Sequence, residues 1–67
     1  MKNTIKVERA IHELTQEQLA QKVQVSRQTI NAIEKGKYVP STVLALKIAR
    51  TFNKRLEEIF ELEETDL

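Results

Sequence analysis

Residues 15–35, TQEQLAQKVQVSRQTINAIEK, contain two helix-start signals eleven positions apart. Thr15 and Gln18 have capping-box spacing. The threonine hydroxyl accepts from the Gln18 N–H, and the glutamine side chain reaches back to the Thr15 N–H. The helix this opens runs to Val23 and buries Leu19, Ala20 and Val23. Gln24-Val25 makes a tight connection to Ser26, whose hydroxyl can accept from the free N–H groups of the next helix, Ser26–Lys35. Ile30 and Ile33 lie three apart and share a core-facing side. Arg27, Gln28 and Asn31 occupy another side, and Gly36 follows as a left-handed cap. Counted from Gln16, apolar residues stand at positions 4, 8, 10, 15 and 18 (Leu19, Val23, Val25, Ile30, Ile33), with small Ala20 at position 5, where two helices would cross closely. Two short helices joined by so few residues form a helix-turn-helix.

Upstream, Asn3 caps a first helix over about residues 4–13. Val7, Ala10, Ile11 and Leu14 fall at i, i+3, i+4 and i+7, the spacing of one buried stripe. His12, near that helix's end, reads as a solvated cation at the negative end of the helix dipole. Downstream, Lys37-Tyr38-Val39 forms a loop ended by Pro40. Ser41 caps a fourth helix to about Phe52, terminated at Asn53, and Leu56–Phe60 makes a short fifth. The fourth helix is apolar on more than one side: Val43, Leu44 and Ile48 join Ala45, Leu46 and Ala49. A monomer this small cannot cover all of them. Leu44, Ile48, Leu56, Phe60 and Leu62 are therefore expected to form a twofold interface. The alternating Glu61-Leu62-Glu63 is either a strand stub pairing with residues 1–3 or a frayed acidic end.

Length and composition narrow the function. Sixty-seven residues give one domain, 1–67, with the helix-turn-helix at 16–35 and an acidic tail at 61–67. Cysteine is absent and there is one histidine, so disulfides and a zinc set are excluded. With the acids clustered in a solvated tail, no nucleophile, base or metal site remains, and an enzyme is not expected. No cofactor or small-molecule ligand is called for. No apolar run is long enough for a membrane span or a signal peptide, so a soluble cytoplasmic protein is expected. The formal net charge of +1 hides a segregation. Residues 1–55 hold all 11 Lys and Arg against four acids, +7, whereas residues 56–67 hold six acids and no cation, −6. A basic body with an acidic end suits a polyanion on one face and repels it from another.

TQEQLAQKVQVSRQTINAIEKGKYVPS resembles the helix-turn-helix core of the Cro/repressor-type (XRE) family of DNA-binding regulators. LALKIARTFNKRLEEIF is similar to the fourth and fifth helices of small stand-alone members, and the resemblance spans roughly residues 5–60. It implies an all-α fold, a compact five-helix, lambda repressor-like bundle. It also implies a homodimer on a palindromic operator of double-stranded DNA, regulating transcription by repression. Carried over, the base-reading face is Arg27, Gln28 and Asn31. Side-chain chemistry agrees, since Gln and Asn pair bidentately with adenine and Arg with guanine. Gln16 matches a phosphate-contacting glutamine at the start of the second helix, where free N–H groups favour an anion. Ser26 at the head of the reading helix, and Lys35, Lys37 and Tyr38 after it, are placed for the flanking phosphates. Arg9 and Glu34 resemble a structural ion pair tying the first helix to the third. Two positions depart from the pattern. Gln24 stands where the family often has glycine, and a left-handed backbone there would be strained. Thr42 stands where a buried leucine is usual. A second reading is an antitoxin or other protein-interaction module on the same fold, for which the chain offers no added toxin-binding segment.

Overall fold

Side-chain caps open most of the helices and left-handed residues close four of them. The computed structural model describes all 67 residues, in the order β1 (Lys2–Asn3), α1 (Ile5–Ile11), α2 (Gln16–Val23), α3 (Arg27–Glu34), α4 (Thr42–Thr51), α5 (Leu56–Ile59) and β2 (Phe60–Glu61), followed by a 3-10 turn at Glu64–Asp66. The Thr15 capping box is complete, with both reciprocal bonds at 2.9–3.0 Å. Ser26 Oγ accepts from the Thr29 N–H and Ser41 Oγ from the Leu44 N–H, each at 3.2 Å. Such caps contribute about 1 kcal/mol each. At α1 the cap residue is Thr4, but Asn3 Oδ1 accepts from the Ile5 N–H at 3.2 Å.

The first four helices end alike. Leu14, Val25, Lys37 and Lys54 donate backward to the carbonyls of Arg9, Ala20, Ala32 and Ala49 at 2.9–3.0 Å. Each bond requires a left-handed residue just before it, and these are Glu13 (φ 54°), Gln24 (φ 63°), Gly36 (φ 73°) and Asn53 (φ 54°). Gly36 alone adopts this conformation freely. Gln24→Gly is expected to stabilise the fold by about 1 kcal/mol, because the only side-chain bond lost is an exposed one from Lys47 Nζ at 3.3 Å. Thermal unfolding should show a midpoint about 4–8 °C higher.

The core gathers Ile5, Leu19, Ile30, Ile33, Ile48, Phe52 and Ile59, all essentially inaccessible. α2 packs on both α3 and α4, and α5 closes against α4. The stripe expected to be buried on the first helix faces solvent: Val7 is 57% and Ile11 65% exposed, Ala10 is exposed, and Leu14 is half-buried. The inward residues are Ile5 and Glu8, with Arg9 half-buried beside them, the same spacing shifted by two positions, which turns the helix by about 200°. Polar anchors select that face. Asn3 Nδ2 donates to the Ile33 carbonyl at 2.9 Å, and Arg9 pairs with Glu34. Glu8, buried, lies 3.5 Å from Lys54 Nζ through Oε2, while its Oε1 has no partner. His12 is exposed at the end of α1, as its position in the sequence implied. Its ring lies 5.2 Å from that of Phe52, and Nδ1 donates to the Glu8 carbonyl at 3.0 Å.

A second correction concerns the apolar excess on α4. Leu44, Ile48 and Phe60, expected at a twofold interface, are buried within a single chain. Facing α2, α4 directs Leu44, Ala45, Ile48 and Ala49 inward, and its exposed apolar residues are Val43 and Leu46. Of the other two expected there, Leu56 packs half-buried against the core and Leu62 is exposed. The tail forms a strand, one residue earlier than its alternation suggested: Lys2 pairs with Glu61 and Asn3 with Phe60, antiparallel. The Met1 ammonium lies 3.0 Å from Glu63 and 3.1 Å from Asp66. Hydrogen bonds that the ammonium donates to the carboxylates of Glu63 and then Asp66 raise its pKa above the ordinary value. No helix is long and apolar enough to cross a membrane.

Candidate nucleic-acid interface

The reverse bond from Val25 to Ala20 turns the chain out of α2 and delivers it to the Ser26 cap, so α3 starts with its first residues facing outward. Arg27 and Gln28 are exposed on that first turn, and Asn31 lies half-buried one turn later. Together these three polar residues line a recess of about 290 Å³. A broader hollow of about 560 Å³ adjoins it at Arg27 and is lined also by Arg9, Leu14, Thr15, Gln16 and Glu17. The sequence therefore brings its three expected base-reading residues to one surface, beside the start of α2.

The surface is fixed from behind. Arg9 Nε donates to Glu34 Oε2 at 2.7 Å and Nη2 to Oε1 at 3.2 Å, a two-pronged contact between α1 and α3. Arg9 Nη1 also holds the Leu14 carbonyl at 3.0 Å. From α2, Gln16 Nε2 donates to Glu34 Oε1 at 3.1 Å and to Asn31 Oδ1 at 3.3 Å. Both hydrogens of that amide are committed to the protein. An anion at the start of α2 would thus meet backbone N–H groups, those of Gln16 and Glu17, rather than the Gln16 side-chain amide.

A family described as Helix-turn-helix matches residues 5–59, from the first residue of α1 to the last of α5. The chain belongs to this family. The XRE-type resemblance carried by residues 5–60 is met, and the family is not an enzymatic one. This helix-turn-helix protein is 59% identical over 66 residues to an uncharacterised HTH-type transcriptional regulator of Methanocaldococcus jannaschii, covering 98% of this chain and all of the relative. It is 53% identical over 64 residues to one of Bacillus subtilis, covering 96% and 97% of the two chains. One from Archaeoglobus fulgidus is 52% identical over 67 residues, covering 100% and 94%.

The remaining expected contact residues of the helix-turn-helix protein flank the recess unequally. Ser26 Oγ is occupied by the Thr29 N–H and lies 3.0 Å from Thr29 Oγ1, so its first duty is to the helix. Lys35 and Lys37 are exposed on either side of Gly36, and Tyr38 is 48% exposed with its hydroxyl unbonded to protein. Sequence reasoning missed the bridging role of Gln16, because its partners lie 15 and 18 residues away. No cluster of His, Asp and Glu is arranged to hold a metal.

Proposed function

We propose that this protein is a sequence-specific DNA-binding transcriptional regulator that inserts α3 into the major groove. The observation that carries this reading is the recess of Arg27, Gln28 and Asn31, three side chains able to bond base edges, on a helix braced from both neighbours. A groove about 12 Å wide accepts one helix. The free N–H groups at the head of α2, with Lys35 and Lys37 beyond α3, suit the phosphates on either side. Three reading side chains per chain are few, so the protein acts as a homodimer on a palindrome, its half-sites about 34 Å apart. The contact falls on the apolar side chains left outside the core, Val43 and Leu46 with Leu56 and Leu62. Repression follows from occupancy of a promoter.

Selection of bound sites from random duplex DNA tests this, and should return a palindrome with fixed spacing. Gln28→Ala is expected to relax preference at one position per half-site, whereas Lys37→Ala weakens binding to all sequences alike and lowers the salt slope by about 1. Uniform loss in both variants would sink the division between reading and anchoring residues.

A further inference from the structure

One hydrogen-bond chain behind the recess has its polarity fixed by charge. The Glu34 carboxylate, held by Arg9, accepts hydrogen bonds and does not donate them. The Gln16 side-chain atom 3.1 Å from it must therefore be the amide nitrogen. That same nitrogen lies 3.3 Å from Asn31, so the Asn31 atom facing it must be the oxygen. The Asn31 NH2 is then the opposite end of its amide, without a protein partner, on a side chain that lines the recess with Arg27 and Gln28. Orientation passes from Arg9 on α1 through Glu34 and Gln16 to Asn31.

On the DNA-binding reading above, we propose that Gln16 is a specificity-determining positioning residue that locks the Asn31 amide with its donor toward the groove. An unrestrained asparagine can turn over and offer either end to a base. The locked one offers N–H, which matches purine N7, guanine O6 or thymine O4, and opposes the N4 amino donor of cytosine. Gln16 thereby excludes one base without touching it.

The test compares base preferences of the wild-type chain, Gln16→Met and Asn31→Asp by selection and by titration of single-base operator variants, with thermal unfolding of each protein alongside. Methionine keeps the length of Gln16 but removes both donors. Discrimination against cytosine at one position per half-site should fall about tenfold, the other positions keeping their order. Asn31→Asp carries only acceptors whichever way it turns and should make cytosine the favoured base there, which tests Asn31 as the reader at that position; an unchanged preference in this variant overturns the proposal as well. An unchanged preference profile in Gln16→Met, or a uniform loss of affinity at every position, overturns the proposal and leaves DNA reading intact. A wild-type chain that enriches no motif overturns the DNA-binding reading, and this role with it.

Discussion

Glu34→Ala should lower the unfolding free energy by about 3 kcal/mol, read from urea denaturation followed by circular dichroism. The Glu34 side chain is 8% exposed and that of Arg9 15%. Removing the carboxylate strands a guanidinium that cannot shed its proton. It also strips one of the two acceptors from Gln16 Nε2. The low end of the range for broken buried pairs applies, because Arg9 keeps the Leu14 carbonyl and some water. A 67-residue domain has roughly 3–10 kcal/mol in total, so the variant should sit near its folding threshold. Arg9→Met should cost less, since the carboxylate it leaves still accepts from Gln16. The double variant Arg9→Met/Glu34→Leu should recover much of the loss, as apolar pairs often replace buried ion pairs at little cost. A loss below 1 kcal/mol for Glu34→Ala would show the pair to be no more than a surface bridge.

Ile48→Ala should cost about 2–5 kcal/mol, through lost burial and the cavity left behind. Ile48 is completely inaccessible within one chain, between α2 and the rest of the core. The loss should therefore be the same at low and high protein concentration. Leu46→Ala, at an exposed position on the same helix, should leave unfolding of the monomer nearly unchanged. A penalty for Ile48→Ala that shrinks as concentration rises would place this residue at a subunit contact instead.

These two sites show how far the residues alone could be read. Local signals carried well: Thr15, Ser26 and Ser41 cap the helices, and Gln24 is left-handed where the chain lacks the usual glycine. Each rests on atoms within a few residues. The recess of Arg27, Gln28 and Asn31 was legible for the same reason, since one helix displays all three. Facing was not. Periodicity on the first helix reveals a stripe at Val7, Ala10, Ile11 and Leu14, but not which of two opposite stripes turns inward. That choice belongs to bonds reaching 25 and 30 residues along the chain, Arg9 to Glu34 and Asn3 to Ile33. Likewise, the apolar surplus on α4 was plain, whereas its division into core and surface depends on where α2 lies.

The antiparallel pairing of Lys2 with Glu61 and Asn3 with Phe60 gives folding of this chain a direction in time. Contacts within residues 15–35 are local and close quickly, while the terminal strands wait on the longest loop in the molecule. A chain emerging amino end first can thus assemble its reading unit early, and hold its first strand unpaired until residue 61 is free. The strand seam forms last on synthesis.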